Sequence, residues 1–324
     1  MPDPMVERAS GGDPDARNRL KSEASQMTTT ATALTTRLRT WLLVAGLTGL
    51  VVAVGALIGG SFLWLFAALA VIFNLVGYFY SDRIALRVAR AQPLSEHDAP
   101  EIHALVRDLA WRAVVPMPRL YVMPGEQPNA FATGRNPQQA AIAATEGLLM
   151  SLPLEQVEGV LAHEMAHIKN RDILVSSIAA MIAGIVSAIA NVMQLSFLFG
   201  SDEQDNPLGL VGSLAAMILA PLGATLLQLG VSRQREYLAD ATAARLLGRG
   251  QPLADALESI AGSHAPALQV SPVTAPMYIA NPFSSGQMSA LFSTHPPVEE
   301  RVRRLRAYDR RAARSTPTPQ AVSA

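Results

Sequence analysis

The sequence predicts a mainly α protein with a small β-sheet, an α+β domain combined with about four transmembrane helices. Three observations carry that expectation. Of the 324 residues, 50% are hydrophobic and only 16% are charged, against about 25% charged in ordinary soluble domains. The stretches 41–59, 62–80, 173–199 and 208–231 contain no Asp, Glu, Lys or Arg, and a helix of about 20 apolar residues crosses the hydrocarbon core of a bilayer. The third observation is His163-Glu164-Met165-Ala166-His167, set within Leu154 to Ile168, where apolar residues recur with helical period. The formal net charge is zero, so no global field draws nucleic acid or acidic substrates. There is no Cys, which excludes disulfides and thiolate ligands and leaves His and carboxylates for any metal site.

Residues 1–36 are polar and read as a flexible N-terminal tail; the apolar run starts too late for a signal peptide. Residues 37–90 form the first transmembrane hairpin, reversing at Gly59-Gly60-Ser61, with Trp41, Tyr78 and Tyr80 at the interface. Arg37 and Arg39 precede it, Arg83, Arg87 and Arg90 follow it, and the tip is uncharged, so both flanks face the cytoplasm.

A first cytoplasmic part, 91–172, opens with an amphipathic helix from Pro100 to Val114, with Ile102, Leu105, Val106 and Leu109 on one face. His97 and His103 are expected to be exposed. Leu120 to Met123 reads as a strand, and Ala130 to Thr133, a turn through Gly134 and Pro137, and Gln139 to Thr145 read as a hairpin. Pro153 fits the first turn of the helix that carries the two histidines. Residues 173–232 form a second apolar hairpin with an acidic loop at 200–207 and Pro221 midway in its second arm. Its flanks, Lys169 and Arg171 before and Arg233 and Arg235 after, repeat the first orientation, so both termini face the cytoplasm. The second cytoplasmic part, 233–308, is helical to Ser263, rich in Pro, Ser and Ala from 264 to 286, and ends in a basic amphipathic helix from Val298 to Tyr308. Arg301 and its neighbours are expected on a solvated or headgroup-facing surface. Residues 309–324 read as a disordered C-terminal tail.

On a helix, His163 and His167 lie on one face and can reach one metal ion, with Glu164 about 100° around, beside the metal and able to take a proton from water. This is the zinc-hydrolase arrangement of two His ligands and a Glu base. A catalytic zinc needs a third protein ligand. Asn170 and Ile173 exclude the continuation H-x-x-G-x-x-H. Glu236, in Arg233-Gln-Arg-Glu-Tyr-Leu-Ala-Asp240, is the candidate, because it leaves the fourth apolar run on a helix whose membrane end meets the end of the third. Asp240, one turn later, can accept the free N–H of a ligand His. Ala130 to Thr133 is either an ordinary strand or an edge that pairs with extended substrate. His295 is either a donor to a developing oxyanion or a helix-capping residue.

Four stretches, Asn129-Ala-Phe-Ala-Thr-Gly134, Val160 to Asp172, Arg233 to Asp240 and Phe292-Ser-Thr-His-Pro-Pro297, occur in an order that resembles the HtpX-like membrane zinc metalloproteases, relatives of the CAAX prenyl endopeptidases. The likeness covers about residues 38 to 308 and implies a zincin-type metalloprotease domain. It implies that His163, His167 and Glu236 bind one Zn2+, that Glu164 is the general base and that Asp240 supports a ligand. It further implies that Asn129, Ala130, Phe131, Ala132 and Thr133 align substrate and that His295 assists near the transition state. The expected activity is hydrolysis of peptide bonds in misfolded or damaged membrane proteins, a quality-control and stress-response role. The expected partners are those chains, the lipid bilayer and membrane quality-control proteins, with no nucleic acid, at the cytoplasmic (inner) membrane. The alternatives are a CAAX-type processing peptidase and a non-catalytic metal-binding membrane scaffold. The long polar tail departs from the family, whose members more often start close to the first membrane run.

Overall fold

The computed structural model describes residues 63–174, 177, 233–268, 277–280 and 296–315, with a few positions between 45 and 52. The expected tail 1–36, most of the first, third and fourth apolar runs, the acidic loop 200–207 and His295 lie outside these residues.

The second apolar run enters helix α1 (Leu63–Val88), which continues past the run through Asp82 and Arg83. Trp64, Leu65, Val71, Ile72, Leu75 and Phe79 on it are exposed. Among the described residues no helix is long and apolar enough to cross a membrane. A two-residue strand β1 (Gln92–Pro93) leads to α2 (Pro100–Ala113). The buried face of α2 is Val106, Leu109, Ala110 and Ala113, one step further along the helix than its Ile102 end. Strands β2 (Arg119–Met123), β3 (Ala130–Thr133) and β4 (Ala141–Thr145) follow, with a 3-10 turn at Pro137–Gln139 between the last two.

The sheet order is β1-β2-β4-β3. β1 pairs antiparallel with β2, β2 parallel with β4, and β3 antiparallel with β4. Both faces are covered, so β3 and β4 are buried throughout rather than alternating. Ala130, Ala132, Ile142 and Ala144 meet the main core, while Phe131, Ala143 and Met123 meet a second cluster with Leu86 of α1 and Tyr278.

Thr145 ends β4 and caps α3 (Glu146–Ser151), its hydroxyl accepting from the Leu148 amide at 3.1 Å. The central helix α4 (Leu154–Asn170) follows; Pro153 is its N-cap rather than a first-turn residue, and its carbonyl accepts from Gln156 and Val157. α4 packs against α5 (Arg233–Leu247), α6 (Gln251–Ala261), α2 and β3. α7 (Val298–Ser315) closes the far side over α5 and α6. It runs past the expected boundary at 308, and the Asp309 carboxylate on it accepts from the Gly250 amide at 2.6 Å. The molecule is thus mostly helical with a small mixed sheet.

Candidate metal centre

α4 is fixed by the apolar side chains Val157, Val160, Leu161, Met165 and Ile168, all buried in the main core. That anchoring leaves His163, Glu164 and His167 on the side facing α5 and β3. His163 and Glu164 are buried, and His167 is partly exposed. α5 packs on α4, and Ala239, Ala243 and Ala244 are buried along it. It thereby brings Glu236 to both histidines.

Nε2 of His163 lies 3.1 Å from Nε2 of His167. The Glu236 carboxylate stands 3.6 Å from Nε2 of His163 and 3.7 Å from Nε2 of His167. One ligand atom from each lies within 4.8 Å of the others, a set that could hold a metal ion. Tetrahedral coordination at ordinary zinc–ligand lengths separates donors by about 3.3 Å, so the spacing fits such an ion. The donor set fits too: two imidazole nitrogens aimed at one point repel through their lone pairs unless a proton or a cation lies between them.

Behind His163, Asp240 accepts from Nδ1 at 3.0 Å. Asp240 is itself gripped by Arg301 of α7, whose Nη2 and Nε reach its two oxygens at 2.7 and 2.9 Å. Arg301 also donates to the Ile279 carbonyl at 3.2 Å. This corrects the expectation of a solvated or headgroup-facing Arg301, which is 1% exposed. The signal was present, because Arg301 falls within the apolar stripe Val298, Val302, Leu305, Tyr308 of its own helix. Burial opposes the Asp240 charge, but the Arg301 guanidinium outweighs it and holds the carboxyl at about 2. Burial likewise opposes protonation of His163, yet hydrogen bonds to Asp240 and Glu236 carry it up to about 9.

Asp172 was not singled out by its sequence position. α4 ends at Arg171 in the left-handed region (φ 62°), and the chain folds back so that the Asp172 amide donates to the His167 carbonyl at 3.0 Å. The buried Asp172 carboxylate then stands 3.4 Å from Nδ1 of His167. A carboxylate five residues after the second histidine, just past a helix end, was the available cue.

Glu164 is buried, and neither carboxylate oxygen makes a hydrogen bond of ordinary geometry. Burial pushes its pKa up; His163 and His167 pull it back, and the nearby Ala132 amide does so only weakly. Ala132 belongs to β3, the sheet's edge strand. The Thr145 amide bonds the Asn129 carbonyl, so Asn129 points towards β4, and alternation turns Ala130 and Ala132 to the open side. The Ala130 position there is already taken: its carbonyl accepts from the Ile279 amide at 3.0 Å. The Asn129 side chain clasps Ala280 through both its amide and its carbonyl group. Thr133 ends the strand against Ser177, hydroxyl to hydroxyl at 2.9 Å. The centre therefore gathers His163, Glu164, His167, Glu236, Asp240 and the edge from Asn129 to Thr133, while His295 lies outside the described residues.

The profile of peptidase family M48 matches residues 96–309, which takes in every element from α2 into α7. The chain belongs to peptidase family M48. As an M48 member it is a metalloprotease, a hydrolase of peptide bonds. It is 51% identical over 278 residues to "Protease HtpX homolog" of Syntrophobacter fumaroxidans, covering 84% of this chain and 99% of that protein. It is 47% identical over 272 residues to the protein of the same description from Pyrococcus furiosus, covering 83% and 94%. Among solved structures it matches Ste24p of S. mikatae with a TM-score of 0.47 and 21% identity, over 85% of this chain and 67% of that one. The M48 assignment removes the non-catalytic scaffold as a reading.

Proposed function

We propose that this M48 protein is a zinc-dependent, integral-membrane endopeptidase that cleaves misfolded or damaged membrane proteins, with its centre at the cytoplasmic face of the inner membrane. The observation that carries the reading is the pairing of a His163–His167–Glu236 ligand set with the buried, unpartnered carboxylate of Glu164. The membrane placement is supported by the uncharged runs with Lys and Arg at their flanks, and by the apolar side chains that α1 leaves exposed.

His163, His167 and Glu236 would hold the zinc ion, which when bound would supply Lewis acidity for peptide hydrolysis. The protein's own groups supply the rest. Asp240 fixes the proton of His163 on Nδ1, which leaves Nε2 free to act as a ligand. Asp172 acts in the same way on His167. The outward N–H and C=O of Ala132 pair with an extended substrate strand and hold its backbone over α4. Glu164 takes a proton from the attacking water and delivers it to the departing amine, a task suited to a carboxyl whose pKa burial has raised. By the resemblance of Phe292-Ser-Thr-His-Pro-Pro297, His295 would donate to the developing oxyanion.

The test is Glu164→Gln in the full-length protein. It should retain its metal and lose cleavage of an unfolded protein substrate by about 100-fold or more, the range of a positioned acid–base group. Undiminished cleavage at unchanged metal content would remove Glu164 from the reaction. Comparing the proteins that accumulate in membranes holding the wild type with those holding Glu164→Gln tests the substrate class.

A further inference from the structure

The surface around Trp111, Val114 and Met117 fits no role in the metal centre. Trp111 and Val114 are 80% and 86% exposed, and Met117 is also exposed. They lie at the end of α2 and on the loop Val114-Val115-Pro116-Met117-Pro118, which contains no polar side chain. Val114 sits at the tip in the left-handed region (φ 58°), where a β-branched residue is strained. Its backbone is held there by its own amide, which reaches back to the carbonyls of Ala110 and Trp111. The fold therefore keeps a costly conformation that turns an apolar side chain outward.

Two tethers fix where this loop points. At its start, Lys169 Nζ donates to the Ala113 carbonyl at 3.0 Å. At its end, Arg119 Nη2 donates to Asp82 at 2.6 Å. Lys169 is four residues before the uncharged run that starts at 173, and Asp82 is two residues after the one that ends at 80. Both partners thus stand at points where the chain passes between the M48 domain and an apolar run. Basic and aromatic groups pair where the run ends at 80, Arg83 over the Tyr80 ring at 5.5 Å and Arg135 over the Phe79 ring at 5.2 Å, a combination that suits a headgroup layer. Met150 on α3 and Leu154 at the first position of α4, also exposed, precede the α4 N-terminus or form it, whereas Lys169 stands at the other end of that helix.

We propose that Trp111, Val114 and Met117 dip into the lipid headgroup–acyl boundary, making the 111–118 loop a membrane contact separate from the helical spans. The inference rests on the membrane placement proposed above. Trp and apolar side chains favour that boundary, and the surrounding cations match anionic lipid. Such a contact, added to the apolar runs, fixes the height and tilt of the α4–β3 face above the bilayer.

The chain has no cysteine, so each introduced one is a unique label site. Val114→Cys, Met117→Cys and Met150→Cys, in the full-length protein, would carry one environment-sensitive fluorophore in phosphatidylcholine–phosphatidylglycerol vesicles. Lipids bearing a headgroup or shallow acyl-chain nitroxide serve as quenchers. Labels at 114 and 117 should lose most of their fluorescence to these lipids at every protein density, while the label at 150 keeps it. A label at 114 that keeps its fluorescence as at 150 overturns the proposal. So does quenching that appears only as the protein is diluted in the membrane, which would mean that at higher density a second copy of the chain, not lipid, covers the face. An alkaline carbonate wash separates the two levels. A chain that stays in the vesicles with position 114 unquenched loses only the loop contact, whereas a chain that washes off loses the membrane reading as well.

Discussion

Arg301 joins the last helix to the metal centre, and it does so as a buried charge. Three chain regions meet through it: His163 on α4, Asp240 on α5, and the Ile279 carbonyl beside β3. A buried pair of this kind need not add net stability, but breaking it leaves an uncompensated charge. Arg301→Met should destabilise the fold by about 3–5 kcal/mol. It should also weaken metal binding by about 10- to 100-fold, because Asp240 is then free to turn from His163. Denaturant titration and competition with a metal-binding dye check the two effects separately; unchanged metal affinity would mean that Asp240 holds its place without Arg301. The residues that gather at the candidate centre could be picked out because their spacing is local: His163 and His167 are one turn apart, and so are Glu236 and Asp240. Arg301 and Asp172 were not read, since a charge in a basic helix and a charge after a helix end each look like ordinary surface.

At the scale of elements, α4 depends on a close approach that only glycine permits. A Cβ on Gly159 would lie 2.6 Å from both the Leu253 nitrogen and the Pro252 carbonyl carbon, in the first turn of α6. These are backbone atoms and cannot rotate aside. Gly159→Ala should therefore destabilise the protein by about 1–3 kcal/mol, despite the roughly 1 kcal/mol that alanine gains over glycine inside a helix. Equilibrium unfolding in detergent measures the sign, and a stabilised variant would show that α6 gives way easily. The periodicity made α2, α4 and the basic helix legible, and turn residues marked the β3–β4 hairpin. The parallel pairing of β2 with β4 was not legible, because nothing local in Arg119 to Met123 encodes which strand lies beside it. The cover that residues 277–280 lay over the Ala130 end of β3 was hidden for the same reason: its Asn129–Ala280 clasp joins residues far apart in sequence.

At the scale of the whole molecule, the metal centre is a long-range junction. Its candidate ligands come from α4 and α5, the Arg301 grip on Asp240 from α7, and two apolar runs separate the first two helices in sequence. A bound ion would stabilise the folded state by mass action, and here it would add a link between α4 and α5 to the one His163 and Asp240 already make. Removing it with a chelator should lower the thermal midpoint and make that midpoint depend on pH. In the metal-free protein His163 is held protonated between Asp240 and Glu236, with its pKa at about 9 against 6.5 unfolded. A raised histidine pKa contributes stability that is complete below 6.5 and is lost as pH rises through about 9. The chelated protein should therefore lose midpoint steadily across that window. The metal-loaded protein should not, since His163 cannot carry the extra proton while it serves as a ligand. Scanning calorimetry of both forms from pH 6 to 10 decides the matter. A metal-free midpoint that stays level across the window would mean that the acidic pair does not hold a proton on His163, and that the ion's site is shaped by packing alone.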